Sequence, residues 1–163
     1  MKRRDLEKAL LILETTPFVF EKVVLASDAA LRQQIAGLIW EAAAIEEHVW
    51  SARVRLLRER SEALLPRLDR ALARRIAAGK SGARDAVTAF LRRRRENARV
   101  LRGLTALDEK SVHPIEGGGS FSLADLPGAM AEQDQCTLRE LARRISCPGN
   151  RECAEPVRAL ATA

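Results

Sequence analysis

Residues 31–56 read LRQQIAGLIWEAAAIEEHVWSARVRL, and the pattern of this segment indicates an α-helical fold. Its apolar residues recur at alternating steps of four and three, which is the spacing of one face of a long α-helix packed against other helices. The seam consists of Leu31, Ile35, Leu38, Ala42, Ile45, Val49, Ala52 and Leu56. We therefore predict a long, core-facing helix here.

Helical spacing continues on both sides of this stretch. On the N-terminal side, apolar residues between 6 and 24 form one stripe, and Thr16-Pro17 predicts a restart or a kink within it. On the C-terminal side, a third long helix is expected to begin near Arg84 and run to Leu104, with Arg94 on its apolar stripe. Two further long helices therefore flank the first.

Glycine and proline mark the connections. Pro66 and the Gly79-Lys80-Ser81-Gly82 turn bracket a short apolar stripe, which predicts a short connecting helix within residues 61–83. Residues 108–121 contain three consecutive glycines and predict the main loop. Ser122-x-x-Asp125 resembles a capping box and predicts the start of the last long helix. Its stripe is Leu126, Met130, Gln133, Thr137 and Leu141.

The composition agrees with a helical fold of one domain. The chain has 163 residues, of which 47% are hydrophobic, with nine Gly and six Pro, so it is long enough to bury a core and short of two domains. We predict an all-α four-helix bundle over residues 1–146, with a short connecting helix and a long loop before the last helix. Residues 147–163 are expected to form a C-terminal tail.

The chain offers no segment suited to a membrane or to export. Its N-terminal apolar run, residues 9–13, is far too short to span a bilayer and too short for a signal peptide. Three cysteines, Cys136, Cys147 and Cys153, predict reduced thiols rather than a disulfide framework. We expect a cytoplasmic protein without a membrane partner.

Positive charge is concentrated in the middle of the chain. The net charge is +6, and residues 51–110 hold 17 Lys and Arg against 7 Asp and Glu, or +10. One alternative function is therefore nonspecific nucleic-acid binding through this Arg-rich middle, including Arg92-Arg93-Arg94-Arg95. We disfavour it, because consecutive residues of a helix point in different directions and aromatic residues for base stacking are scarce.

Four positions depart from the aliphatic character of the predicted seams: Ala42, Arg94, Gln133 and Thr137. In a helix bundle such positions line any pocket in the core. Gln133 and Thr137 lie one turn apart and are able to hydrogen-bond each other. An inward guanidinium at Arg94 needs an anionic partner, either an internal acid such as Glu46 or a bound carboxylate or phosphate.

Several motifs occur in the order of a known family. Residues 46–55, EEHVWSARVR, resemble the second helix of the DinB-like (DinB/YfiT) superfamily, and Phe90-x-x-x-Arg94-x-Glu96-Asn97 is similar to its third. The stretch from His113-Pro114 to Asp125-Leu126 resembles the loop and restart before its last helix, and Leu13-Glu14-x-Thr16-Pro17 its N-terminal start. The resemblance covers residues from about 10 to 145 and implies the bundle fold.

Most members of that superfamily use a divalent metal held by three histidines. By register the corresponding positions here are Ala42, Gln133 and Thr137, none of which is a useful ligand. The two histidines, His48 and His113, lie elsewhere. The resemblance therefore implies a divergent member that has lost the His triad, and we expect neither a metal nor another cofactor.

Two hypotheses for function follow from this resemblance. The leading one is a non-metal bundle that acts as a small-molecule-binding or protein-interaction domain. Its pocket is expected at the former metal-site positions, and its ligand is expected to be small and anionic; Arg94, Glu46, Asp134 and Glu140 are the polar anchors. By analogy with the family, we also expect the chain to form a homodimer.

The alternative is a thiol-dependent transferase or isomerase in which Cys136, Asp134 and Glu140 act without metal. In it, Cys136 is a reactive thiol rather than a buried apolar residue, which is the commoner state of a helical cysteine. Asp134 is expected to lie one position off the apolar stripe of its helix.

Overall fold

The predicted long helices are present in the computed structural model, which describes residues 3–59, 63–103 and 112–146. They form four long helical rods. The α-helices are α1 (Arg3–Ala26), α2 (Ala29–Ile45), α3 (Ser51–Arg58), α4 (Arg70–Ala77), α5 (Ala83–Arg102) and α6 (Leu126–Ser146). A π-helical turn at Glu46–Trp50 joins α2 to α3, so these two helices form one rod. The predicted all-α four-helix bundle, with α4 as its short connecting helix, is confirmed.

The core has two layers, which show the direction of each rod. One layer contains Leu13, Val49, Val54, Leu101 and Leu126, and the other contains Phe20, Ile35, Phe90 and Leu141. From these residues, α1 and α6 run in one direction, whereas the α2–α3 rod and α5 run in the other. The bundle is therefore up-down-down-up. Because the α2–α3 rod and α5 run in the same direction, the segment between α3 and α5 crosses the full length of the bundle. Helix α4 lies in that crossover and packs on α2.

The π turn shifts the seam of the second rod by one residue. A π turn inserts an extra residue into the helix, so the buried face after it carries Arg53 and Leu57. Ala52 and Leu56, the predicted seam positions, are only partly buried. The predicted seam agrees with the structure up to Val49; beyond it the buried positions move by one residue to Arg53 and Leu57, although Leu56 still packs against the core.

Helix α1 passes through Pro17 without restarting. Proline has no N–H for the helical bond to the residue four positions earlier, which is Leu13. Thr16 is buried and donates its hydroxyl to the Ile12 carbonyl at 2.9 Å. Of the two outcomes predicted for Thr16-Pro17, a restart or a kink, the restart is wrong. The Leu13 carbonyl lacks the N–H that residue 17 would donate if it were not proline.

The predicted loop before α6 contains a small ribbon in its described part. Strands β1 (Val112–Pro114) and β2 (Ser120–Ser122) pair antiparallel, with His113 opposite Phe121. Gly117, Gly118 and Gly119 all have positive φ, between 84° and 106°, which glycine adopts without strain. The guanidinium of Arg53 lies over the rings of Trp50 and Phe121 and holds this ribbon against the second rod.

The predicted cap at Ser122 begins a 3-10 turn, Leu123–Asp125, which leads directly into α6. The Asp125 N–H donates to Ser122 Oγ at 3.3 Å, and Ser122 Oγ donates to the Asp125 carboxylate at 2.5 Å.

Within residues 3–59, 63–103 and 112–146, no helix has the length and apolar character needed to cross a membrane. Leu104, Cys147, Cys153 and the proposed tail lie outside the described residues.

Candidate functional site: a basic groove beside a buried ion-pair network

The three predicted pocket positions lie together. Ala42 on α2 and both Gln133 and Thr137 on α6 line one groove of about 680 Å³, which is closed on its third side by α4. The groove is formed where α6 packs antiparallel to α2 and the crossover helix covers their junction. Cys136 and Glu140 line the same groove.

The groove is strongly basic, which the sequence did not reveal. It is lined by five arginines, Arg70, Arg74, Arg139, Arg143 and Arg144. Only two carboxylates, Glu41 and Glu140, line it as well, which leaves a formal charge of +3. Because the arginines come from α4 and from the far turns of α6, their convergence depends on the crossover.

Glu140 is held by two of these arginines. Arg143 donates to both its oxygens at 2.8 Å, and Arg144 Nε donates to Oε1 at 2.9 Å. These hydrogen bonds, with that from Arg143 the strongest, lower the pKa of Glu140 to about 2, although partial burial opposes the shift. The carboxylate is therefore charged at neutral pH and orders the arginines at one end of the groove.

Two of the three predicted pocket positions, Gln133 and Thr137, hydrogen-bond each other. Gln133 Nε2 donates to Thr137 Oγ1 at 3.3 Å, Thr137 Oγ1 donates to the Gln133 carbonyl at 3.0 Å, and Arg70 Nη2 donates to Gln133 Oε1 at 3.0 Å. A methyl group, an amide bonded to a guanidinium and a hydroxyl do not fit a divalent metal. In the described residues, no group of three or more His, Cys, Asp or Glu is placed to hold a metal ion either.

A buried ionic network lies on the core side of α6. Arg94 on α5 is only 2% exposed, and it donates from Nε and Nη2 to the two Glu46 oxygens at 3.0 and 2.8 Å. It also donates from Nη1 and Nη2 to the two Asp134 oxygens at 2.5 and 2.8 Å. The carboxylates raise the pKa of Arg94 above its ordinary value, although burial, the largest single influence, acts in the opposite sense.

The remaining donor of Arg94 reaches the first helix. Its Nη1 contacts the Leu13 carbonyl at 3.5 Å, which is the acceptor that Pro17 leaves open. All five N–H bonds of the guanidinium are thus directed at protein acceptors, and the side chain connects all four rods. Its partner is the internal acid Glu46, together with Asp134, rather than a bound anion.

Glu46 depends on the π turn for its position. It is fully buried, and Asn97 Nδ2 donates to its Oε1 at 2.6 Å. Ser51 Oγ donates to the Glu46 carbonyl at 2.9 Å and accepts from Asn97 at 3.1 Å, which stabilises the widened turn. Burial raises the pKa of Glu46 above its ordinary range, and Arg94 and Asn97 only partly offset this.

Several of the predicted site residues lie elsewhere than expected. Arg94 and Glu46, predicted as polar anchors of the pocket, pair with each other in the core and do not line the groove. Asp134 does not lie off the stripe: it is 3% exposed and occupies the core face of α6, whereas Gln133 is only partly buried. Cys136 is exposed rather than buried. Asp134 therefore points into the core while Cys136 and Glu140 line the groove, and these three residues do not form one catalytic site.

The four consecutive arginines separate as a helix requires. Arg94 enters the core, Arg93 bonds Glu47 and Glu96 at 2.8 and 3.2 Å, and Arg92 and Arg95 are exposed. Sequence reasoning missed Asn97, although it lies one turn after Arg94 on the same stripe. It also missed Arg70 and Arg74, which no periodicity in the sequence connects to α6.

Comparisons with known proteins bear on the fold. No protein-family model matches the chain, and no curated protein sequence matches it. Among solved structures it is similar to YfiT from Bacillus subtilis, with a TM-score of 0.71 over 90% of both chains and 12% identity. The two chains share one fold. YfiT is described as a probable metal-dependent hydrolase with an unusual four-helix bundle topology; at this identity the likeness concerns architecture alone.

Proposed function

We propose that this chain is a divergent DinB-like protein without the His triad, whose groove at the former metal-site positions binds a small anionic ligand. The observation that carries the proposal is the convergence of five arginines and two glutamates around Ala42, Gln133 and Thr137. The order of the DinB-like motifs in the sequence and the shared fold with YfiT support the family assignment.

The groove has the size and chemistry for such a ligand. Its volume of about 680 Å³ lies within the range of roughly 300–1,000 Å³ that is typical of small-molecule sites. Guanidinium groups bind carboxylates and phosphates through paired hydrogen bonds, with more directional preference than an ammonium. Apolar atoms of Leu38, Ala42 and Ile45 line the floor, so an anion with a short hydrocarbon part fits best.

The arginines of α4 are the ones most suited to the ligand. Arg143 and Arg144 are engaged with Glu140, whereas Arg70 bonds only a neutral amide and Arg74 contacts Glu41 at 3.3 Å with its side chain 67% exposed. A ligand anion that replaces the amide as the partner of Arg70 gains a charged hydrogen bond. Arg70 and Arg74 are therefore expected to contribute more of the affinity than Arg143 and Arg144.

Calorimetric titration with pyrophosphate and citrate at constant ionic strength tests the proposal. We expect saturable binding of at least one probe, and a roughly tenfold or greater loss in the double variant Arg70→Gln/Arg74→Gln, since each charged hydrogen bond contributes about 1.5–3 kcal/mol. The matched control is Arg95→Gln/Arg99→Gln, which removes two exposed charges from α5. Equal losses in both variants, or no saturable binding to the parent, would refute an anion site in the groove.

A further inference from the structure

A second cavity lies on the other side of α4 from the basic groove. Its volume is about 340 Å³, and three parts of the chain enclose it: the end of α2 with the π turn, helix α4, and a cover formed by the crossover before α4 and the turn of the ribbon. Of the described residues, only Ile45 lines both spaces. Arg70 and Arg74 of α4 face the groove, whereas Leu72 and Ala73 face this cavity.

The cover is fixed by hydrogen bonds from distant parts of the chain. The Leu65 N–H donates to the Pro114 carbonyl at 2.9 Å, and the Glu116 N–H donates to the Leu65 carbonyl at 3.0 Å, so the crossover and the ribbon form one unit. Arg53 of the second rod is buried, and it donates from Nε and Nη2 to the Pro66 carbonyl at 3.0 and 2.8 Å. The cavity is therefore a preformed part of the fold, as ligand sites usually are.

The floor of the cavity is apolar. Ala44, Ile45, Val49 and Ala73 line it, and each is buried, while the partly buried Ile76 forms one wall. The volume is at the lower end of the range of roughly 300–1,000 Å³ that is typical of small-molecule sites. The floor therefore suits a short hydrocarbon group.

The mouth of the cavity carries more negative than positive charge. Asp69 and Glu116 line it, and Arg67 is the only Lys or Arg among the described lining residues. Asp69 Oδ1 accepts the Leu72 N–H at 3.0 Å, and this bond lowers the pKa of Asp69, so its carboxylate is charged at neutral pH.

The second carboxylate, that of Glu116, has only a weak partner. Its Oε2 accepts a long hydrogen bond from the Arg67 N–H at 3.4 Å, while the guanidinium of Arg67 lies beside Gly117. Within the described part of the chain, neither Glu116 nor Asp69 forms a salt bridge. A cation at the mouth would thus meet two carboxylates that no side chain pairs with.

We propose that this cavity binds a small primary amine, with its hydrocarbon part on the apolar floor and its ammonium group at Asp69 and Glu116. An ammonium is a compact cation with three N–H donors, so it can bond several carboxylate oxygens. A carboxylic acid of the same size is disfavoured, because its charge has the sign of the mouth. This preference is opposite to that of the basic groove, so the two sites are tested independently.

Titration of pentylamine, pentanol and pentanoate into the isotope-labelled full chain, followed by amide chemical shifts, tests the site. The three probes have the same hydrocarbon chain and differ in charge. We expect saturable binding of pentylamine with shifts at the amides of Ala73 and Gly117, weaker binding of pentanol, and the weakest effect of pentanoate at these amides. No saturable binding of the amine, equal binding of amine and alcohol, or shifts confined to the groove would overturn the proposal.

A charge-removing variant tests the role of the two carboxylates. Asp69→Asn/Glu116→Gln keeps the cap of α4, since asparagine caps a helix as well as aspartate does. It should bind pentylamine roughly tenfold or more weakly, and pentanol within about twofold of the parent. The control Glu21→Gln/Glu132→Gln removes two exposed carboxylates from α1 and α6 and should bind the amine as the parent does. Unchanged amine affinity in Asp69→Asn/Glu116→Gln would show that these carboxylates do not recognise the ligand.

Discussion

Arg94 on α5 and Glu46 at the start of the π turn form a two-pronged ion pair in the core, with nitrogen-to-oxygen distances of 3.0 and 2.8 Å. The pair exists because the π turn and α5 bring both side chains to the same level of the bundle. Asp134 completes it from α6. Since these groups meet at only one axial position of the helices, the network selects the relative register of three rods.

Arg94 should tolerate replacement far less than its neighbour. Arg94→Leu leaves two buried carboxylates without a cation, and we expect a loss of about 3–5 kcal/mol in the free energy of unfolding. Arg93→Leu removes a side chain that is 32% exposed, and its effect should be about 1 kcal/mol or less. Urea denaturation of both variants at neutral pH measures the difference. Small and equal losses would show that the buried network is dispensable.

Replacement of Asn97 by aspartate should destabilise the fold. Asn97→Ala removes the donor to Glu46 and should lower stability by about 1–3 kcal/mol, while Asn97→Asp should cost more at neutral pH because a carboxylate then faces Glu46. A carboxyl whose folded pKa is raised contributes stability at low pH and loses it as pH rises through that pKa. The Asp variant should therefore recover toward the Ala variant on acidification, as followed by thermal denaturation. A gap that is independent of pH would exclude charge repulsion as its cause.

Glu140 should stabilise the fold in a pH-dependent way. Its pKa is lowered to about 2 from 4.5, so its contribution is fully present above pH 4.5 and is lost as pH falls toward 2. Glu140→Gln should therefore melt at a lower temperature than the parent at neutral pH, and the two melting temperatures should converge in acid. Glu132→Gln, an exposed change on the same helix, controls for the loss of one negative charge. A constant difference between parent and Glu140→Gln from neutral pH to pH 2 would contradict the ion-pair explanation.

Three histidines in the groove should create a metal site. The variant Ala42→His/Gln133→His/Thr137→His places two imidazoles one turn apart on α6 and a third on the facing α2, which is a geometry that binds zinc or nickel. Without metal it should be less stable than the parent, because larger polar groups enter a packed position.

Added zinc should raise the melting temperature of this triple variant by binding the folded state, and each single variant should respond little. Calorimetric titration of zinc into the parent, the singles and the triple variant makes the comparison. If the triple variant folds but takes up no more zinc than the parent, these three positions do not correspond to the DinB-like ligands.

The four long rods and the short connecting helix could be predicted from the amino-acid sequence, because the spacing of apolar residues shows which face of each helix is buried. The same spacing placed Arg94 among buried positions, and Ser122 and Asp125 marked the start of α6. The sequence did not determine whether the partner of Arg94 is an internal acid or a bound anion. Each of these features depends on residues within a few turns of one another, so the local pattern is sufficient.

The division of the polar residues between core and groove could not be predicted from the sequence, because it depends on contacts between distant segments. The π turn is stabilised by the hydrogen bond from Ser51 Oγ to the Glu46 carbonyl, and it shifts the seam after Val49 in a way that regular periodicity does not show. Asp134, rather than Gln133, lies in the core because it forms an ion pair there with Arg94 of α5. The arginines of the groove meet because the crossover lays α4 against α2, and such a meeting of distant segments depends on long-range packing that no local spacing encodes.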